Sequence, residues 1–189
     1  MTKFLAAMLA VMALALAARA TVMEPMSLDD LTASSQTVVY GKVLAARAEW
    51  DEGHRMIYTI YTVGASEYLK GQLEATFELR EPGGEVDGME MMIESVPAFR
   101  PGQEALLFVW TDPRGRHQVS AFEQGAVSIE TDAAGNRRAS RAIPLGSARE
   151  SAATASSAAA SQLLPQLFGQ VRASIARTGA QTSAPVGKE

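Results

Sequence analysis

The β character of the chain is clearest in Thr37-Val38-Val39-Tyr40-Gly41-Lys42-Val43-Leu44. β-Branched and aromatic side chains favour extended backbone, so this run predicts a strand, with Gly41 at a bend or bulge. Further strand-like runs follow, separated by turn residues, at 55–68, 75–80, 89–94, 104–110, 118–122, 127–130 and 137–143. Because no helices alternate with these strands, the sequence predicts a mainly β fold, a small antiparallel OB-like barrel of seven to eight strands.

The alternation of apolar and polar residues identifies the predicted core. It directs five large side chains to the barrel interior: Phe77, Leu79, Ile93, Leu106 and Phe108. The same alternation places Met89 and Met91 inside, which favours core filling over a soft-metal site for these methionines. Residues 104–110 are apolar almost throughout, which indicates a central strand.

Helices are predicted on either side of the barrel. Ser27 is a suitable N-cap with acidic residues behind it, so a short helix is expected within residues 25–32. Residues 147–189 are rich in alanine and serine and are interpreted as a separate C-terminal segment. Apolar residues recur at helical spacing over 157–177, where Pro165 either kinks the helix or lies in its first turn, and residues 178–189 are expected to be disordered.

The first twenty residues have the pattern of a secretory signal peptide. Lys3 precedes the apolar run Phe4–Ala17, and Ala18-Arg19-Ala20 matches the small residues at a cleavage site. The run is shorter than the roughly 20 residues that a membrane-spanning helix needs. We therefore expect a mature chain beginning at Thr21, with a β-barrel domain over 21–146 and no transmembrane segment, exported to the periplasm or the extracellular space.

Charge and composition narrow the classes of function. The 189 residues include 17 Lys and Arg against 21 Asp and Glu, a net charge of −4, and no cysteine. The chain has no basic block for nucleic acid, and it can form neither disulfides nor cysteine-based sites. The two histidines, His54 and His117, lie apart from any second nitrogen ligand, and no GxSxG motif is present. The sequence predicts no catalytic residue, metal or cofactor.

The candidate binding residues lie in two loops. The first follows the opening strand and contains Trp50, Asp51 and His54, in which a large aromatic side chain can anchor an interface. The alternative for Trp50 is an indole that only caps the barrel end. The second loop contributes Glu81, Gly83, Gly84, Glu85 and Asp87, whose carboxylates match no ordered calcium-ligand spacing. We expect both loops to form a binding surface at one end of the barrel.

Several short motifs occur in an order that resembles the order found in a protein family. They are the Leu31–Val43 opening with its V-x-G-x-V strand, Leu69-Lys70-Gly71, Pro82-Gly83-Gly84-Glu85 and Gly102-Gln103-Glu104 leading to Leu107-Phe108. Over about Ser27–Glu130 this order resembles a family of uncharacterised exported bacterial proteins. The resemblance implies an OB-type barrel similar to netrin-like modules, which include metalloprotease inhibitors. The animal inhibitors bind the protease zinc through a mature N-terminal cysteine, which Thr21 does not supply, so the resemblance implies a fold and no inhibitory chemistry.

Taken together, these features predict an exported, non-enzymatic binding or interaction module whose partner is another exported or envelope protein. The alternatives are a small-ligand or metal carrier and a hydrolase that uses carboxylates. A pocket lined by carboxyls with perturbed pKa values would favour the enzyme. A deep apolar cavity would favour the carrier, and an apolar patch rimmed by polar residues would favour a protein partner.

Overall fold

The structure is a computed structural model that describes residues 25–140 and 162–182. Helix α1 (Leu28–Ser34) precedes strands β1 (Thr37–Trp50), β2 (Ile57–Lys70), β3 (Thr76–Pro82), β4 (Gly84–Val86) and β5 (Met89–Met91). They are followed by β6 (Glu104–Thr111), β7 (His117–Val119), a 3₁₀ helix (Phe122–Gly125), β8 (Ala126–Thr131) and β9 (Arg137–Ser140). After residues that lie outside the description come β10 (Gln162–Leu163) and helix α2 (Leu164–Thr182). The predicted signal peptide also lies outside the described residues.

Five strands close into a barrel in the order β1-β2-β3-β7-β6, because β6 also pairs with β1. Neighbouring strands are antiparallel except β3 and β7, which are parallel and share the single pair Leu79 and His117. Strands β8, β9 and β10 extend the sheet beyond β6, while β4 and β5 form a separate hairpin. This arrangement confirms the predicted mainly β, OB-like barrel.

Gly41 lets β1 lie close against β2 where the register of the two strands shifts. The register between β1 and β2 shifts between Tyr40 and Gly41, which confirms the predicted irregularity. A Cβ at Gly41 would lie 2.6 Å from the carbonyl oxygen of Gly64 on β2. Any side chain there would push the two strands apart, so the close approach requires glycine.

The buried apolar side chains form two groups, one on each side of the β1–β6 sheet. The barrel interior contains Phe77 and Leu79, as predicted, together with Leu107 and Val109 of β6. Leu106 and Phe108 are also fully buried, but they lie on the outer face of β6 beneath the helices, so their predicted place inside the barrel is wrong. Strand β6 is apolar on both faces because each face is covered.

The C-terminal helix α2 covers the outer face of the barrel. It buries Leu164, Leu167, Phe168 and Val171 against β1, β6, β8 and β9, and each such side chain contributes about 1.5–3 kcal/mol when fully buried. Phe168 packs edge-on against Tyr40, with ring centroids 5.6 Å apart. The described part of the segment that we interpreted as separate therefore shares a core with the barrel.

The ends of both helices agree only in part with the expectations. The side chain of Ser27 accepts a hydrogen bond from the Asp30 backbone N–H, as expected for an N-cap. Pro165 lies in the first turn of α2, which is one of its two predicted positions. Residues 178–182 continue α2 and are helical, so the prediction of disorder was wrong for them. Neither described helix has the length and apolarity to cross a membrane.

Candidate binding site

The structure brings the two predicted loops together at one end of the barrel. The Gly83 N–H donates to the Ile57 carbonyl oxygen (2.8 Å), and the Thr59 hydroxyl donates to the Gly83 carbonyl oxygen (2.8 Å). A Cβ at Gly84 would lie 2.5 Å from Thr59 Oγ1, so β4 lies close against β2. We call this end of the barrel the mouth, formed by the β1–β2 turn (51–56), residues 81–84, the β4–β5 hairpin and residues 92–98.

Asp51 organises the β1–β2 turn. Its Oδ1 accepts hydrogen bonds from the backbone N–H groups of Arg55 (2.7 Å) and Met56 (3.2 Å). These two bonds lower the pKa of the Asp51 carboxyl. Because both bonds lie within its own turn, Asp51 has a local structural role.

Trp50 and His54 pack against each other beside this turn. Their rings are stacked, with centroids 5.8 Å apart and planes 17° from parallel. His54 is exposed and has a φ of 51°, in the left-handed region, while Trp50 is half-buried. The stacking holds the indole at the mouth, where part of its surface remains accessible.

Glu81 is not a loop residue, which corrects the prediction. It lies in β3, on the same face as Phe77 and Leu79, and is only 4% exposed. Its Oε1 accepts a hydrogen bond from the backbone N–H of Val119 on β7 (2.6 Å). Burial raises the pKa of the Glu81 carboxyl to about 7, and the Val119 bond opposes that rise.

The carboxyl of Glu81 adds a contact between β3 and β7 beyond their short backbone pairing. The two strands share the one backbone pair of Leu79 and His117, and two residues further along each strand the Val119 N–H donates to the Glu81 side chain. A buried backbone N–H needs an acceptor, and Glu81 supplies it for Val119. The carboxyl of Glu81 joins the two strands at the point where their backbone pairing ends.

A cavity of about 230 Å³ opens above Glu81. Its lining includes Thr59 and Tyr61 from β2, residues 81–84, and residues 90–93 and 96–98. Among the described residues no group donates a hydrogen bond to the second oxygen of Glu81. Most of the side chains opposite Glu81 are apolar, so the cavity combines one buried carboxyl with an apolar wall.

On the side formed by residues 81–98, the rim of the mouth is apolar and acidic. Met89 and Met92 are 55% and 84% exposed, so the predicted core position of Met89 was wrong, and Met91 and Ile93 are only half-buried. Glu85 and Asp87 lie exposed on the hairpin and do not line the cavity. Residues 81–98 contain five acidic residues (Glu81, Glu85, Asp87, Glu90 and Glu94) and no Lys, Arg or His.

A second, larger cleft of about 540 Å³ lies outside the barrel, over β3 and the β6–β7 turn. Two of its acidic residues, Glu78 and Glu49, form ion pairs with arginines. Arg47 contacts Glu78 at 2.6 Å and lowers the pKa of that carboxyl, and Arg80 contacts Glu49 at 3.2 Å. His117 is half-buried, which lowers its pKa, and its Nδ1 lies 2.9 Å from Thr111 Oγ1. These two ion pairs make the edge of the cleft a network of surface charges.

Comparison with protein-family models, curated proteins and solved structures finds no match for this chain. Within residues 25–140 and 162–182, no group of three His, Asp or Glu side chains is placed to hold a metal ion. The geometry of the mouth is therefore the basis for a functional conclusion. Its central residue, Glu81, could have been placed from the alternation of Phe77 and Leu79. The alternation that directed Met89 and Met91 inward left Met92 on the outward face, so it indicated the exposure of Met92 but not that of Met89.

Proposed function

We propose that this chain is an exported, non-enzymatic binding module that holds a segment of another exported or envelope protein at the mouth. The observation that carries the proposal is the exposure of Met89 and Met92 beside the cavity over Glu81. Exposed apolar side chains surrounded by charged residues are typical of interaction sites. Methionine suits such a surface because its flexible side chain adapts to the shape of a partner.

The charge of the rim indicates the character of the partner. Because residues 81–98 carry only acidic charges, a partner segment with apolar and basic side chains would complement them. The half-buried Trp50, fixed by His54, would provide a rigid aromatic contact at the edge of the same surface.

Site-specific photocrosslinking tests this function. A photoreactive residue placed at Met92 in the producing organism should give a crosslink to one exported protein. The control position is Trp110, which is also exposed (39%) but lies where β6 meets the start of β1, at the opposite end of that strand from Trp50. Equal labelling from both positions, or no labelling from position 92, would contradict the proposal.

A small-ligand carrier is the second candidate, and the buried carboxyl in the cavity favours it. Pockets that enclose a drug-sized ligand measure about 300–1,000 Å³. The cavity is smaller, about 230 Å³, so it suits one small group more than a whole cofactor.

A further inference from the structure

We propose that the cavity over Glu81 binds an alkylammonium group, either the end of a lysine side chain in a partner or a small free amine. The inference rests on the proposed function, because it takes the mouth as the binding end of the barrel. It goes further in naming the chemistry that the cavity recognises.

The hydrogen bonding of Glu81 favours an ammonium ion over a guanidinium ion. One carboxyl oxygen accepts from the Val119 N–H, and the described residues offer no donor to the other. A guanidinium binds a carboxylate best with two parallel hydrogen bonds, which would require both oxygens. An ammonium is a compact charge that can bond to the single remaining oxygen.

The size and the wall of the cavity fit an alkyl chain behind that charge. Tyr61 and Met91 face the space together with Ile93 and Val96, and the volume of about 230 Å³ accommodates a chain of about four carbons. A lysine side chain has this form, since its methylene stem packs against apolar surface while its amine reaches a polar group.

The charges around the cavity attract a cation. The other charged residue of the lining is Glu90 on β5, at the exposed rim. Together with Glu85, Asp87 and Glu94 it gives the approach to Glu81 a negative potential. A cation that reached Glu81 would also supply the charge-assisted hydrogen bond that the buried carboxylate lacks.

An NMR titration of the mature protein at pH 8 tests this inference, with the amide signal of Val119 as the reporter. Butylammonium should shift that signal in a saturable way, and the neutral analogue 1-butanol should bind at least about tenfold more weakly. Glu81→Gln should lose at least about tenfold in affinity for butylammonium, since its amide can still accept from Val119 but carries no charge. Glu78→Gln is the matched control on the same strand, because Glu78 points outward, and it should bind within about twofold of the wild type.

A second variant covers the possibility that Glu81→Gln alters the fold. Met91→Trp should fill the cavity and abolish binding while it leaves Glu81 in place. Equal binding of butylammonium and butanol, or unchanged binding by either variant, would overturn the inference.

Two further ligands distinguish the sources of the amine. N-Acetyl-lysine N-methylamide should bind at least as tightly as butylammonium if the cavity receives a partner's lysine, with its norleucine analogue as the neutral control. Binding of butylammonium without the blocked lysine would assign the cavity to a free amine. Crosslinking from position 92 is measured separately. Ammonium binding without crosslinking would therefore refute the protein partner alone, and crosslinking without ammonium binding would refute the cavity chemistry alone.

Discussion

Replacing Glu81 with glutamine should make the protein more stable at pH 8. Burial raises the pKa of Glu81 from 4.5 to about 7, so the folded protein holds a proton that the unfolded chain has released between these values. A difference of one in pKa corresponds to about 1.4 kcal/mol, and the pKa of Glu81 rises from 4.5 to about 7. Ionised Glu81 therefore lowers the free energy of unfolding by about 3 kcal/mol relative to its protonated form.

Because the pKa of Glu81 is raised in the folded state, the free energy of unfolding decreases as the pH rises. Below pH 4.5 Glu81 is protonated, and its full contribution to the free energy of unfolding is present in the wild type. Stability is then lost as the pH rises through the folded pKa of about 7, by at most about 1.4 kcal/mol per pH unit from this group. Glutamine does not titrate, and its side-chain oxygen can accept the Val119 N–H at every pH. The two proteins should therefore be similarly stable at pH 4 and differ by about 3 kcal/mol at pH 8.

Urea unfolding at pH 4, 6 and 8 measures this difference, and shifts of other titrating groups cancel in the comparison. Glu78→Gln serves as the control, because Glu78 is exposed and Arg47 lowers the pKa of its carboxyl. Loss of that exposed ion pair should cost about 0–1 kcal/mol, with no gain at pH 8. A Glu81→Gln variant with the same pH dependence as the wild type, or with lower stability at pH 8, would refute the reasoning.

The fold, the mouth and the predicted signal peptide give three further predictions. Phe108→Ala should cost about 3–5 kcal/mol in urea unfolding, since Phe108 is fully buried between β6 and the helices; a loss below 1 kcal/mol would contradict this packing. Trp50→Ala should reduce crosslinking from position 92 at least tenfold while stability changes by about 1 kcal/mol or less, and Trp110→Ala should leave crosslinking unchanged. A stability loss with crosslinking retained would make Trp50 a structural cap. N-terminal sequencing of the exported protein should give Thr21 as its first residue, and retention of the apolar run before it would disprove cleavage there.

Local patterns in the sequence were sufficient to predict the barrel and most of its strands, but not β4, which was predicted as part of a loop, or β10. Alternation with a period of two identified β3 through Phe77 and Leu79, and turn residues marked most strand ends within a few positions. The irregularity at Gly41 and the N-cap at Ser27 were also visible, because both depend on the intrinsic preferences of single residues. Each of these features is encoded within a few residues of the position that it affects.

The two faces of β6 could not be assigned from the same patterns. Every residue over Ala105–Val109 is apolar, so alternation does not distinguish the barrel interior from the face that α2 covers. Helix α2 begins at Leu164, far along the chain from Phe108, and their place in one apolar cluster is a long-range feature of the fold. The position of α2 depends on packing between distant segments, and the spacing of apolar residues within one segment does not indicate such packing.

Glu81 was misplaced because two local signals disagreed. The Pro82-Gly83-Gly84 run indicated a loop, while the alternation of Phe77 and Leu79 continued to an inward position at Glu81. The loop signal outweighed the alternation because a charged residue is seldom buried without a partner. That partner, the Val119 N–H, lies 38 residues further along the chain, and the parallel pairing that brings it close cannot be inferred locally.

Joining β3 to β7 does not by itself account for a carboxyl at position 81. The buried Val119 N–H needs an acceptor, but an uncharged amide oxygen can also accept that bond. The carboxyl adds an ionisation that opposes folding by about 3 kcal/mol above pH 7, and Glu81 lines a cavity at the acidic mouth. A bound ammonium would recover part of that free energy by pairing with the ionised form. The same substitution, Glu81→Gln, should therefore increase stability and weaken ammonium binding, whereas a purely structural role for Glu81 predicts no effect on binding.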